Sequence, residues 1–267
     1  MIHALTHVPS TRMAECELTF IDAEPIDPVR ARAQHAAYVA ALEALGARVE
    51  VVETHPECPD SVFIEDRAIV LDEIAITTSM GSVERRAELS GMDELLAPYR
   101  SIAAIEPPGR LEGGDVLRMG RTLFVGASCR TDAEGITHLA HCVEPFGYHV
   151  EPVPVFGCLH LKTGVTALDE GTVVINPDWV DESAFAGLRR IRVDPHEPWA
   201  ANTLTLGGTT LVQEGQAQTV RQIERAGFPT RAVDISEFAR AEGGLTCLSL
   251  IFEGGGGGWS TATGDTP

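Results

Sequence analysis

An α/β fold built as a cyclic array of small ββαβ units is what this 267-residue sequence predicts. Two observations carry the expectation. Short apolar strands alternate with amphipathic helices along the whole chain, and the strands come in pairs around tight turns. A hairpin followed by a helix, several times over, does not fit a single parallel sheet made of βαβ crossovers. No clear internal sequence repeat accompanies the rhythm.

The elements follow in order. Asp27-Pro28 supplies a cap and a first-turn proline. Tyr38, Leu42 and Leu45 then recur at helical spacing until Gly46 ends the run. Val49–Val52 reads as a strand. Ser82 caps a second helix carrying Leu89, Met92 and Leu96 on one face, stopped by Pro98. Asp132 caps a third, with Ile136, Leu139 and Val143 aligned and Gly147 beyond it. Further helices are expected over Gln216 to Ala226 and around Ser236 to Arg240. Between them, Ser61–Ile64, Ala68–Thr77, Val116–Val125, Leu159–Ile175, Thr203–Gln213 and Leu248–Phe252 read as β-rich, with a hairpin around Asp169-Glu170-Gly171. One catalytic domain is expected over residues 1–253. A flexible glycine-rich tail, without chemistry, is expected over 254–267.

The chain has 44% hydrophobic residues, enough for a sizeable core. No apolar run reaches the ~20 residues of a membrane span. The first residues lack a basic segment followed by an apolar stretch, so a cytoplasmic protein is expected. Six cysteines without a CxxC pair read as reduced thiols, not a disulfide or zinc framework. With 39 Asp plus Glu against 20 Lys plus Arg, the net charge of −19 opposes nucleic acid and anionic membranes and favours a cationic ligand. An acidic surface that only maintains solubility would look the same. There is no phosphate-binding glycine loop, and no cofactor or metal is expected. A homodimer is compatible with the sequence.

Five segments offer chemistry. In Gly243-Gly244-Leu245-Thr246-Cys247-Leu248-Ser249, an extended backbone would set Cys247 and Ser249 opposite the leucines, next to glycines that permit close backbone approach. A cysteine packed as a small hydrophobe fits the segment as well. In Cys158-Leu159-His160-Leu161-Lys162, the histidine shares a face with polar neighbours and suits a proton shuttle or a hydrogen-bonded strand position. Asp60-Ser61-Val62-Phe63-Ile64-Glu65-Asp66 holds three carboxylates able to meet a guanidinium. Glu65 and Asp66 can face one ligand only if the backbone bends there. Leu111-Glu112-Gly113-Gly114-Asp115 places an acid before a glycine bend. Arg85-Arg86 and Arg130, at helix starts where the dipole disfavours cations, could clamp a carboxylate or pair with surface acids. His138-x-x-His141-Cys142 shares a helix face but has no fourth ligand at a recognisable spacing.

Taken together and in order, Asp60–Asp66 (DSVFIED), Leu111–Leu117 (LEGGDVL), His160–Gly164 (HLKTG) and Gly243–Leu250 (GGLTCLSL) resemble the dimethylarginine dimethylaminohydrolase family of the amidinotransferase and arginine deiminase superfamily. The resemblance also takes in Glu84–Glu88, Ala127–Gly135 and Ala200–Asn202, and so spans the chain from about the first strand to Phe252. It implies a five-bladed α/β propeller, or pentein, with one site on the pseudo-symmetry axis. It implies Cys247 as nucleophile, His160 as acid and base, and Glu112 orienting His160. Glu65 and Asp66 would hold the guanidinium and Phe63 would lie against its plane. Asp60 would take the α-amino group, Arg85 and Arg130 the α-carboxylate, and Leu18 would belong to a lid. The chain differs from the family pattern at Ser79-Met80-Gly81-Ser82, at Glu84 and around Glu17-Leu18-Thr19-Phe20. Two other readings stand beside a methylated-arginine hydrolase. One is a deiminase- or amidinotransferase-like enzyme on another guanidino substrate; the other is a non-catalytic binder of arginine-like metabolites.

Overall fold

A computed structural model describes residues 1–254, and the expected glycine-rich tail beyond Gly254 lies outside the described residues. The fold is a ring of five three-stranded sheets. In the first, β1 (Ile2–His7) runs parallel to β2 (Ala47–Val52), and α1 (Pro28–Ala44) connects them. Asp27 starts that helix by accepting the Val29 and Arg30 N–H groups, a cap typically worth ~1 kcal/mol. Leu45 caps its end and Gly46 follows at φ +93°.

The next blade pairs β3 (Ala68–Val70) antiparallel with β4 (Ile74–Thr77), which runs parallel to β5 (Ser101–Ala104). The crossover is not the single helix expected from Ser82. A 3-10 stretch over Glu84–Leu89 is separated from α2 (Met92–Leu96) by Gly91, whose φ of +82° interrupts the helical path. In the third blade, β6 (Val116–Met119) is antiparallel to β7 (Thr122–Ala127), which is joined through α3 (Ala133–Val143) to the parallel β8 (His149–Pro154). Ile136, Leu139 and Val143 of α3 pack with Leu123, Val125 and Tyr148. Burying each such aliphatic side chain contributes about 1.5–3 kcal/mol.

The fourth blade is entered through a single helical turn, α4 (Leu161–Gly164). It contains β9 (Val165–Asp169), β10 (Thr172–Ile175) and β11 (Arg189–Arg192). The fifth contains β12 (Leu204–Leu206), β13 (Thr209–Gln213) and β14 (Thr230–Val233), with α5 (Ala217–Arg225) as crossover. The chain then passes through α6 (Ser236–Ala239) into β15 (Leu250–Glu253), the last described strand, which pairs antiparallel with β1 and completes the first sheet. Each sheet therefore has the same antiparallel-then-parallel order, and the first and last described strands close the ring. No described helix is long and apolar enough to cross a membrane.

The segments that enter the first hairpin strand of each blade have a common form. Ile64–Arg67, Gly113–Asp115, Leu161–Gly164, Pro198–Ala201 and Thr246–Leu248 are all short helical turns. Three of them correct the sequence reading. Ser61–Ile64, the His160 segment and the start of the Cys247 segment are turns, not extended strands. The bend required for Glu65 and Asp66 is the 3-10 turn over Ile64–Arg67.

Candidate active site

These turns bring distant segments into contact. Cys247 occupies the middle of the turn Thr246–Leu248, which is held from three sides. Asn202 accepts the Thr246 N–H at 3.1 Å and donates to Thr246 Oγ1 at 3.1 Å. Thr246 Oγ1 donates to Glu65 Oε2 at 2.8 Å. Tyr38, buried on α1, donates to the Leu245 carbonyl at 2.9 Å and lies 2.7 Å from Ser249 Oγ. The Cys247 sulfur accepts the Gly244 N–H at 3.3 Å. A Cβ at Gly244 would lie 2.4 Å from Asn202 Cγ, so the glycine permits the packing of these two segments.

His160 caps α4 and is buried. Its Nε2 lies 2.7 Å from Glu112 Oε2, and its Nδ1 lies 3.8 Å from Asp66 Oδ1. Glu112 is buried too, and its other oxygen accepts the Gly81 N–H at 2.9 Å and the Ser82 N–H at 3.4 Å. Asp66 accepts from Arg85 Nη1 at 2.7 Å and from the Gly114 N–H at 3.2 Å. Gly114 must be small, since a Cβ there would sit 2.7 Å from both Asp66 Oδ1 and His160 Nδ1.

Burial alone would lower the His160 pKa, but Asp66, the Glu112 hydrogen bond and Asp115 outweigh it and raise it to about 9. Burial pushes the Cys247 thiol up to about 12, helped by the charges of Glu65 and Asp66 and opposed by the Gly244 N–H and Lys162. Burial also raises Asp60, to about 6, against the pull of Arg85. Burial would raise Glu112 and Asp66 as well, but both are held below the ordinary carboxylate range, Glu112 by its bond to His160 and Asp66 by the charges of His160 and Arg85. Near neutrality the site thus contains an imidazolium and a protonated thiol, which a bound cation would acidify.

Asp60, Phe63, Asp66, Arg85, Arg130, His160 and Cys247 line one small cavity of about 20 Å³, together with Glu17 and Glu242. Arg85 reaches it with its donors engaged: Asp66, both oxygens of Glu88 and the Asp60 and Phe63 carbonyls take them. Arg130 is freer, for its Nη1 has no hydrogen-bond partner, although Glu112 Oε1 lies 3.5 Å away. Glu65, expected at the guanidinium, does not line the cavity. Lys162 at 2.5 Å and Thr246 hold it behind the Cys247 turn, where its charge still reaches the sulfur.

Leu18, expected in the lid, is half-buried and does not line the cavity either; its neighbour Glu17 does. Glu17 places its side chain 3.1 Å from Arg130 Nη2 and 2.5 Å from Ser82 Oγ, while its N–H donates to Asp60 at 3.3 Å. The Thr19 and Phe20 N–H groups both donate to Glu242 at 2.6 Å, pinning this segment over the site. A depression of about 500 Å³ lies just outside, bordered by Phe20, Glu24, Glu242 and Gly243. Sequence reasoning missed Glu17, Lys162 and Asn202 as site residues; Lys162 and Asn202 had only their presence in the HLKTG and AAN motifs to mark them. His138, on the helix face that could suggest zinc, instead accepts the Glu106 N–H at 3.1 Å.

The ring of five sheets, with the first and last described strands joined and a thiol, an imidazole and carboxylates converging inside it, defines a pentein-type α/β propeller. Residues 21–183 match the family model for N,N dimethylarginine dimethylhydrolase, eukaryotic. The chain is 39% identical over 249 residues to N(G),N(G)-dimethylarginine dimethylaminohydrolase of Streptomyces coelicolor, covering 92% of this chain and 95% of that one. It is 29% identical over 252 residues to the Pseudomonas aeruginosa protein of the same name, covering 94% of this chain and 99% of that one. A solved structure of the Pseudomonas protein, a cysteine-to-serine mutant complexed with citrulline, superposes with a TM-score of 0.89 over 94% of this chain and 98% of that chain. The chain belongs to the dimethylarginine dimethylaminohydrolase family.

Proposed function

We propose that the protein hydrolyses a methylated arginine to citrulline and a methylamine, dimethylarginine giving dimethylamine, through a covalent intermediate on Cys247. The observation that carries this reading is the convergence of Cys247, His160, Asp66 and Arg130 on one buried cavity, with Glu112 bonded to His160 at 2.7 Å. The relatives named for the same reaction, and the citrulline complex of one of them, support the substrate class.

The guanidinium enters beside Asp66, with Phe63 against its plane. Burial, helped by the carboxylate field, keeps the thiol protonated; the substrate's positive charge offsets that field, so Cys247 loses its proton to solvent as the substrate settles. The thiolate adds to the guanidinium carbon. His160, already an imidazolium, gives its proton to the departing dimethylamine as the C–N bond breaks, leaving a thiouronium on Cys247. The neutral His160 then takes a proton from water, whose oxygen attacks the same carbon. The adduct's hydroxyl loses its proton to solvent as the carbonyl forms and the C–S bond breaks, so citrulline leaves and the thiolate is restored.

Glu112 holds the imidazole in register throughout. Asp60 takes the α-ammonium and Arg130 the α-carboxylate once Glu17 withdraws, with Arg85 adding positive charge behind Asp66. Glu65 acts through the turn that presents Cys247. No step calls for a cofactor. We place the enzyme in the cytoplasm, with residues 1–253 as one catalytic domain.

The test is Cys247→Ser. Citrulline release from dimethylarginine should fall to background while dimethylarginine binding, read by calorimetry, persists. Undiminished turnover would end the mechanism. Arginine as a comparison substrate distinguishes a deiminase-like preference.

A further inference from the structure

We propose that His55, Glu57 and Cys58 form a binding site for a zinc-like divalent cation, outside the active-site cavity and independent of the reading above. The three residues offer one ligand atom each, all within 4.8 Å of one another. His55 Nδ1 is 3.5 Å from Glu57 Oε1, and Cys58 Sγ is 3.9 Å from the same oxygen. Around a tetrahedral ion with bonds of about 2.0–2.3 Å, neighbouring ligand atoms lie roughly 3.3–3.8 Å apart. The donors, at most 4.8 Å apart, therefore need to close by no more than about 1.5 Å.

The imidazole is already oriented for the task. Its Nε2 lies 2.8 Å from the Ser90 carbonyl, so that nitrogen carries a proton, and Nδ1, 3.5 Å from Glu57, becomes a ligand once a cation displaces any proton it shares with that carboxylate. A ring N–H held by a backbone carbonyl is the usual support of a metal-bound histidine. The backbone is fixed as well. The Cys58 N–H donates to the His55 carbonyl at 3.1 Å, closing a tight turn with Pro56 in its second position. Ser10 Oγ donates to the Pro56 carbonyl at 2.6 Å, and Arg12 Nη1 to the Glu57 carbonyl at 3.4 Å. Two side chains from the N-terminal segment thus hold the turn from outside.

The donor set selects the ion. One thiolate, one imidazole and one carboxylate suit zinc and its neighbours, whereas calcium and magnesium require mainly oxygen. Three protein ligands leave a fourth position for water. Cys58 is a free thiol whose side chain makes no hydrogen bond other than the one to Glu57 among the described residues, so metal binding would compete with nothing else. The pattern His-x-Glu-Cys lies outside the paired-cysteine spacings by which zinc sites are recognised in sequence.

The test uses the full chain carrying Cys247→Ser, which removes the thiol of the active-site cluster. Co²⁺ is titrated and the thiolate-to-cobalt charge-transfer absorption is followed, with Zn²⁺ added afterwards as competitor. One Co²⁺ per chain should bind and be displaced by Zn²⁺. Adding Cys58→Ser should abolish the absorption, and His55→Ala or Glu57→Gln should weaken binding by about 10-fold or more. Cys16→Ser and Cys142→Ser should leave it intact. Absence of the band, or its persistence in Cys58→Ser, overturns the proposal. So does unchanged affinity in Glu57→Gln, whose exposed side chain makes a folding defect an inadequate excuse.

Discussion

The bond between Glu112 and His160 gives the most direct prediction, because a single substitution isolates it. Glu112→Gln preserves size and can still accept the Gly81 and Ser82 N–H groups, but it removes the charge 2.7 Å from the imidazole. The rise of the His160 pKa from 6.5 to about 9 corresponds to about 3 kcal/mol in favour of imidazolium, at about 1.4 kcal/mol per pH unit. Asp66 and Asp115 remain in the variant, so only part of this is lost, and the pKa should fall by about one pH unit. Histidine NMR titration reads the change directly. Turnover should fall about 100-fold or more, the ordinary size of a general-acid contribution. Stability provides an independent check. Because the folded pKa lies above the unfolded value, the stabilisation from protonated His160 is complete below about 6.5 and is lost as pH rises through about 9. In Glu112→Gln that alkaline loss should start at the same pH, end at lower pH and be smaller. An unchanged His160 titration would refute the view that Glu112 sets the proton on this residue.

Two further outcomes follow from the same geometry. Glu17→Gln removes the carboxylate that pairs with Arg130, so KM for dimethylarginine should fall about 5-fold, roughly 1 kcal/mol, with kcat little altered. A guanidino substrate lacking the α-carboxylate should gain nothing, and an equal gain for both would rule out competition at Arg130. Gly114→Ala should cost at least 100-fold in kcat while the thermal midpoint moves much less, since its Cβ would separate Asp66 from His160; full activity in that variant would show that their spacing is unimportant.

The sequence made some parts of this structure readable and hid others, for identifiable reasons. Helices with a cap and an apolar face, such as Pro28–Ala44 and Ala133–Val143, could be bounded nearly to the residue because both signals are local. Hairpins were visible for the same reason. The parallel outer strands Ser101–Ala104, His149–Pro154, Arg189–Arg192 and Thr230–Val233 were not, since they are short and largely exposed or polar, and their partners lie across a crossover. In the site, motif order singled out Cys247, His160, Glu112 and Asp66, which the fold brings together, but side-chain direction did not follow from strand alternation, because those residues lie in or beside helical turns. Glu65 shows the effect: adjacent to Asp66, it turns behind the Cys247 segment to meet Lys162. Glu17 could not have been found from its own segment. Its partners, Asp60, Ser82 and Arg130, belong to other parts of the ring.

The architecture also explains why a cation can be both ligand and activator here. Each blade is entered through a helical turn, and three of these turns deliver Glu65 with Asp66, His160, and Cys247, while Glu112 stands at the threshold of another. Such turns are too short to satisfy all their own polar groups, so neighbouring turns bond to one another: Asn202 to Thr246, Thr246 to Glu65, Asp66 to Gly114. That mutual bonding concentrates carboxylates where water is largely excluded. Arg85, Lys162 and protonated His160 balance part of the charge, yet the remaining field still helps burial hold the Cys247 thiol near 12. A neutral ligand would leave the sulfur protonated. In the proposed mechanism a guanidinium supplies the missing positive charge at the carbon to be attacked, so the Cys247 thiolate forms only when its target is present.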